Sequence, residues 1–315
     1  MKNAIYDFLI YEEKILNRSH DHLKHHKYVL EKFYEYQLYK QKEISMSLIS
    51  VSDVNEYLIH IKWTPILFGP NKWWERWQNT LATYCNSLRQ FFKWWKKLWK
   101  EWINRESIPL IQKERKTMDR CKPEEYKIFR TAPQLFEHDK LIILRNKLLI
   151  DIPYHTWLRR AEVLRCKFEM FFSPTNQFEI LGKWWYIDWV CFDDEIRLEV
   201  EEYFNELNKK SLIDKSSLMF FSLSNHNFGN KMNEKSVNLI FTKYSELLMK
   251  KWLLSRIITP HMERHSFATN CVLSGLSQQA TTKLMRHRNP TTTLRYYHLD
   301  NKWIKSEYDK IKFEQ

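Results

Sequence analysis

Between residues 81 and 102 the chain carries the pattern that most restricts its fold. Leu81, Tyr84, Cys85, Leu88, Phe91, Phe92, Trp95, Leu98, Trp99 and Trp102 recur at helical spacing over six turns. An apolar stripe of that length predicts a long helix buried along one side. Lys93, Lys96, Lys97 and Lys100 fall off the stripe and form a basic outer face. The same sign runs through the whole chain, which has a net charge of +13 at pH 7 shared by both halves. Such a charge predicts a polyanionic partner, either nucleic acid or an acidic membrane face. Residues 141–152 are too often interrupted, by Arg145, Asn146, Lys147 and Asp151, to span a membrane. Asp7, Glu12 and Glu13 break any secretion signal. Five cysteines, at 85, 121, 166, 191 and 271, form no C-x-x-C pair and read as free thiols of a reducing cytoplasm. A membrane protein and a secreted disulfide scaffold are not expected.

At 315 residues the chain exceeds one comfortable core and predicts two domains. Residues 1–112 read as helical. Residues 22–39 repeat the amphipathic pattern, and Ser52-Asp53 resembles a helix cap before residues 54–61. His20, His22, His25 and His26 lie close together, yet no Cys or carboxylate stands at ligand spacing. They read as an exposed polar helix start, and no metal is expected. Residues 113–119 form a charged linker, and Pro123-Glu124-Glu125 opens a new helix. Helical patterns continue through residues 141–150 and 161–166. The period then changes: residues 178–181 and 186–190 read as two short strands around a turn at 182–185. From Ile196 to near Lys312 the chain reads as helical again. The expected fold is mainly α with a small β-sheet (α+β): a helical domain over 1–112 and a mixed α/β domain over 120–315.

The strongest chemical signal is Thr259-Pro260-His261-Met262-Glu263-Arg264-His265-Ser266-Phe267-Ala268-Thr269. A His and an Arg three apart share one helix face, behind a Pro in the first turn. A phosphate oxyanion suits such a pair, because Arg offers a planar fork of donors and His exchanges a proton near neutrality. A zinc-hydrolase H-E-x-x-H helix fails on spacing, since Glu263 stands one position late.

This stretch resembles the H-x-L-R-H-[ST]-F-A-T helix of the tyrosine recombinases, or phage integrases, and among them the Xer-type bacterial recombinases. Gly275, Leu284, His287 and Tyr296 fall where that family has its loop glycine, a buried leucine, its second active-site histidine and its nucleophile. Upstream, Thr156-Trp157-Leu158-Arg159-Arg160-Ala161-Glu162-Val163-Leu164 resembles the T-G-L-R-x-x-E-[LV]-x stretch that supplies the first arginine. Lys183 sits on the predicted hairpin turn, where the family keeps a catalytic lysine. The resemblance covers roughly 120–300 in detail and the N-terminal helices in outline.

The resemblance implies a site-specific DNA recombinase. Tyr296 would attack the scissile phosphate and form a 3′-phosphotyrosine, with Arg159 and Arg264 bracketing the phosphate. His261 and His287 would donate to its oxygens, His261 being also a candidate proton acceptor, and Lys183 would protonate the leaving 5′ oxygen. It further implies a SAM-like DNA-binding domain over 1–112, with the two domains clamping a duplex. Four protomers would act on two DNA sites, a dimer per site, through a Holliday junction. No metal and no nucleotide cofactor would be needed. A tail including Trp303 and Ile304 would dock on a neighbouring protomer. Two rivals share the fold: a catalytically silent sequence-specific DNA-binding protein, and a type IB topoisomerase-like enzyme. Three positions depart from the pattern. Glu263 replaces a buried leucine and is placed to pair with an arginine. Arg286 replaces a glycine and is placed to add a phosphate contact. Trp157 also replaces a glycine.

That last departure belongs to a wider anomaly. The chain has 4 glycines, where average usage would give about 22, and 14 tryptophans. Trp157, Trp184, Trp185 and Trp102 all stand where a turn, a helix end or the family pattern asks for glycine. The expectation is that UGA codons of this gene specify glycine, whereas Trp94 and Trp189 read as true core aromatics.

Overall fold

The computed structural model describes residues 1–40, 46–63, 73–99, 103–111, 119–181, 187–209, 213–224, 226–287 and 289–297. The chain divides into two compact units, residues 1–116 and 117–315.

In the first unit α1 (Lys2–Ile10) runs into a π-helical turn (Tyr11–Ile15), followed by α2 (His20–Tyr39), α3 (Val51–Trp63) and α4 (Trp73–Trp99). The stripe on α4 does what its period requires: Cys85, Leu88, Phe91 and Phe92 are buried against Phe8, Leu30, Phe33, Val54 and Tyr57. Trp94 joins them at 8% exposure, as expected of a core aromatic. Leu98 is a correction to the stripe, since the last turn of α4 leaves it 56% exposed. Lys93, Lys96 and Lys97 are exposed, and Lys100 lies outside the described residues. The α3 cap is also shifted. Asp53 Oδ2 accepts from the Ser50 amide (2.9 Å) and hydroxyl (2.7 Å), and the Ser50 hydroxyl accepts from the Asp53 amide (3.3 Å). Ser50, not Ser52, therefore starts the helix, because only it can exchange bonds reciprocally with Asp53. The histidines of α2 are not uniformly exposed either. His26 is buried and shares a 2.6 Å hydrogen bond with Glu12, a carboxylate that the π turn brings inward.

In the second unit α5 (Pro123–Phe129), α6 (Ala132–Phe136), α7 (Lys140–Thr156), α8 (Arg160–Val163) and α9 (Phe168–Phe171) precede an antiparallel hairpin, β1 (Gln177–Leu181) and β2 (Ile187–Cys191). Then come α10 (Asp194–Asn208), α11 (Glu234–Lys250), α12 (Pro260–Leu273), α13 (Gln278–Leu284) and α14 (Pro290–Tyr297). The fold is mainly α with a small β-sheet. Helix α7 is its axis, packed against both α10 and α12. Asp139 caps it by accepting from the amides of Leu141 (2.7 Å) and Ile142 (3.1 Å). Leu148, Leu149, Ile150 and Ile152 are fully buried along it. Phe178 and Ile180 turn one face of the hairpin to this core, while Trp189 on the other face is 59% exposed and is no core residue. The expected helix from Ile196 onward is broken. The described residues between α10 and α11 form turns and isolated β-bridges (Lys167 with Leu218, Phe221 with Lys231), where Asp214 Oδ1 accepts from the Ser216 amide (2.8 Å) and Gly229 adopts φ +80°. Short polar side chains compete there with the helical backbone bonds. No helix among the described residues is long and apolar enough to cross a membrane.

Among the described residues four helices of this unit end on a left-handed residue: Trp157 after α7 (φ 58°), Trp252 after α11 (φ 60°), Gly275 after α12 (φ 78°) and Arg286 after α13 (φ 52°). The last three close with one hydrogen-bond pattern. Residue C′ donates three residues back, and the residue after it donates five back, as in Trp252→Met249 and Leu253→Leu248 (both 3.0 Å).

Candidate active site

Helix α12 starts with a double signal. The Thr259 hydroxyl accepts from the Met262 amide (3.3 Å), and Pro260 occupies the first turn, where no amide is needed. The helix carries His261 to the surface and Arg264, one turn later, into the interior at 5% exposure. Arg264 lies with its guanidinium carbon 3.9 Å from the Trp157 ring centroid and donates to the Trp157 carbonyl. Burial first, and the neighbouring Arg159 second, pull its pKa down. It is a cation short of compensation, which an anion arriving from solvent would supply.

Arg159 stands on the connection from α7 to α8, where the left-handed Trp157 redirects the chain. Its side chain is 45% exposed, and Nη1 donates to Glu162 Oε1 at 2.9 Å. Glu162 gathers the arginines: at 3% exposure it also accepts from the Arg159 amide (2.8 Å) and from Arg286 Nη2 (2.7 Å), with Arg264 Nη1 3.9 Å away. Burial opposes its ionisation. The Arg286 guanidinium and the bonds from Arg159 outweigh burial and hold its pKa below the usual carboxylate range.

Helix α14 brings Tyr296 beside α12. Its hydroxyl shares a 2.6 Å hydrogen bond with His265 Nδ1. Tyr297, one residue on, points elsewhere: its hydroxyl donates to the Leu276 carbonyl (2.7 Å) and lies 2.8 Å from the Thr281 hydroxyl. His287 Nδ1 bonds the Thr293 hydroxyl at 2.9 Å. Partial burial and then Arg264 lower the pKa of His261, which keeps it neutral near pH 7, and its ring centroid lies 4.2 Å from that of His265.

The structure thus brings together Arg159, Arg264, His261, His287 and Tyr296, from four chain segments. Lys183 lies outside the described residues, with Trp184 and Trp185. Between the assembled groups sits the indole of Trp157, 1% exposed and in ring contact with His265, His287 and Tyr296. Two expectations are corrected. Among the described residues Glu263 pairs with no arginine: it is fully buried on the core side of α12 beside the Cys121 thiol, and burial raises its pKa far above the usual range. Arg286 is turned to Glu162 instead: its Nη2 donates to that carboxylate at 2.7 Å, and its side chain is 3% exposed. Sequence reasoning missed Glu162 and His265. The Arg159-x-x-Glu162 spacing of a capping box, and the i, i+4 step from His261 to His265, are the signals that carry them.

A family model described as the phage integrase family matches residues 128–302. A tyrosine recombinase XerC of Staphylococcus epidermidis is 24% identical over 233 residues, spanning 73% of this chain and 74% of that relative. A tyrosine recombinase XerC of Staphylococcus aureus is 21% identical over 284 residues, spanning 86% of this chain and 84% of that one. Among solved structures, the XerH site-specific recombinase in a pre-cleavage complex with its difH substrate superposes with a TM-score of 0.67 at 20% identity, over 91% of this chain and 79% of that one. The Tn1549 transposon integrase in complex with a circular intermediate DNA gives 0.68 at 16% identity, over 98% and 99%. With more than half its length matched and an arginine–histidine–tyrosine cluster where that match lies, the chain belongs to the phage integrase family of tyrosine recombinases.

Proposed function

We propose that this recombinase cuts and rejoins double-stranded DNA at a defined site through a 3′-phosphotyrosyl bond to Tyr296. The observation that carries the reading is the Tyr296 hydroxyl, hydrogen-bonded to His265 within the cluster that holds Arg264 and His287. A phenol with an ordinary pKa near 10 attacks poorly until its proton is taken. His265 is placed to take it, with the neutral His261 ring beside it. Arg159 and Arg264 stabilise the charge that builds on the pentavalent phosphate, and His287 donates to one of its oxygens. Attack breaks the bond to the 5′ oxygen, which leaves with a proton from Lys183 in the role its family position implies. The phosphotyrosyl ester keeps the bond energy, so rejoining needs no nucleotide. Residues 1–112 serve as the core DNA-binding domain, joined through 113–119 to the catalytic domain over 120–315. Four protomers exchange strands between two cytoplasmic DNA sites.

The test is covalent capture on nicked suicide duplexes with a randomised core, recovered after denaturation in detergent. Because the Trp157 indole fills the space between the reacting groups, the assay uses both the chain as written and Trp157→Gly. Adduct that disappears in Tyr296→Phe and persists in Tyr297→Phe supports the reading. Adduct retained in Tyr296→Phe, or none from either parent chain, overturns it. The lysines on α4 are assigned to the DNA backbone. Replacing Lys93, Lys96 and Lys97 by Gln should flatten the salt dependence of binding, by up to about 0.9 log units per lost phosphate contact for each tenfold change in salt.

A further inference from the structure

The two tryptophans at left-handed positions differ in surroundings but share a backbone that an L side chain resists. Trp252 repeats the cap geometry of Gly275 bond for bond: Trp252→Met249 and Leu253→Leu248 match Gly275→Val272 and Leu276→Cys271, all between 3.0 and 3.1 Å. Its indole is 94% exposed, so no packing offsets the backbone penalty. Trp157 is buried, yet its indole N–H has no hydrogen-bond partner among the described residues, an uncommon state for a buried tryptophan. Both described glycines, Gly229 and Gly275, sit at positive φ, so the few glycines present are spent where the backbone needs them. One cause accounts for a chain with 4 glycines and 14 tryptophans in which tryptophan holds glycine conformations. One base separates UGA from the glycine codon GGA, so a single anticodon change in a glycine tRNA suffices.

We propose that glycine is the native residue at 157 and 252, specified by UGA, and that the indole carried here at 157 fills the space the scissile phosphate takes. The second clause rests on the phosphate-binding role proposed above. The first does not.

Three measurements separate the two. The gene should read UGA at codons 157 and 252, and peptides of the protein isolated from its own host should carry glycine there; UGG at both codons overturns the assignment. In the purified full chain, Trp157→Gly should hold or raise the melting temperature, whereas deleting an ordinary buried tryptophan lowers it by many degrees, and such a fall overturns the claim of a glycine site. Adduct yield on the randomised suicide duplexes should rise at least tenfold in Trp157→Gly and stay within twofold in Trp252→Gly. Equal, non-zero adduct from the chain as written and Trp157→Gly overturns the plug alone.

A second observation, in the first unit, is independent of these. Glu12 is 3% exposed, and its two oxygens face two histidines one helical turn apart on α2. His26 Nδ1 lies 2.6 Å from Oε2, and the half-buried His22 places its Nε2 3.5 Å from Oε1. The three ligand atoms lie within 4.8 Å of one another. A tetrahedral zinc ion with bonds of about 2.0–2.1 Å spaces its ligands on the order of 3.3 Å apart, so the ion would replace the 2.6 Å hydrogen bond between His26 and Glu12 with a slightly wider separation. The π turn that points Glu12 inward is itself a feature that recurs at functional sites. We infer that Glu12, His22 and His26 bind a divalent transition-metal ion, with zinc the best chemical match, pinning the π-helical turn to α2. Calorimetric titration of the full chain with ZnCl2 should show one site that His22→Gln weakens at least tenfold and His20→Gln leaves intact. Cobalt(II) in its place should give the absorption of a tetrahedral complex. No zinc binding by the intact chain, or binding that His22→Gln leaves unchanged, overturns the site.

Discussion

Helices α7 and α11 both end on a tryptophan in the left-handed conformation, at φ 58° and 60°, yet one indole is 1% exposed and the other 94%. The backbone penalty is the same at both, about 1–2 kcal/mol for an L residue in this region. The difference lies in what the side chain does next. At Trp252 it meets solvent, and the penalty stands alone. At Trp157 it packs on Ala268, Val272, Met285 and Tyr296 and covers the Arg264 guanidinium, so burial offsets the backbone while the active site loses its open volume. Identical local geometry is thus a stability question at one helix end and a catalytic question at the other.

The largest effect that sharpens this contrast concerns Arg264. In a Trp157→Gly background, Arg264→Ala should lower covalent adduct formation by ~10²–10³, the usual result of losing one preorganised donor. In the chain as written the same substitution should change adduct yield far less, because the indole already separates Arg264 from any phosphate. Equal losses in both backgrounds would show that Trp157 shields nothing.

Arg286 tests whether relief of a left-handed residue is always favourable. Arg286→Gly removes the same backbone penalty but strands Glu162, and breaking such a buried pair costs about 3–5 kcal/mol. Urea denaturation should show a net loss on the order of 2–3 kcal/mol. A gain would mean that Arg159 alone satisfies Glu162.

Glu263 lies in the first turn of α12 with its carboxyl group fully buried and no left-handed backbone, and so separates burial from backbone. Its pKa is raised by burial, so the folded state holds its proton more tightly than the unfolded chain. The associated stability is present at acid pH and is lost as pH rises above the ordinary value of 4.5 towards the folded one. Glu263→Leu should stabilise by roughly 1–3 kcal/mol at pH 7 and by less at pH 4, measured by denaturation at both. A gain independent of pH would contradict the burial of an ionisable group.

The smallest effects exchange the two solvent-facing caps. Gly275→Trp should destabilise by about 1–2 kcal/mol and Trp252→Gly should stabilise by about 1 kcal/mol, read as opposite shifts in melting temperature. Shifts of one sign would break the equivalence of the two ends.

Much of this protein follows from local pattern. The α4 stripe, the two short strands of the hairpin and the Thr259-Pro260 start of α12 are written in residue periods and caps that neighbours only reinforce. So is the spacing that brings Arg264, His287 and Tyr296 to one place in the fold. The turns between α10 and α11 were not legible as such, because the Asp214 carboxylate and the Ser217 hydroxyl accept from the amides of Ser216 and Asp214 in a stretch whose apolar spacing still suits a helix.

What only the tertiary structure decided is how the charges are partnered. Sequence spacing named Arg159 and Arg264 but not Glu162 as the carboxylate between them, and it set His261 rather than His265 nearest the tyrosine hydroxyl. It likewise left the α2 histidines without a carboxylate, since Glu12 precedes them and reaches them only through the π turn and the packing of α1 on α2. Periodicity and capping act within a few residues of one segment and can be read along the chain. Electrostatic partnership depends on distance across segments and on burial, which exist only once the chain has folded.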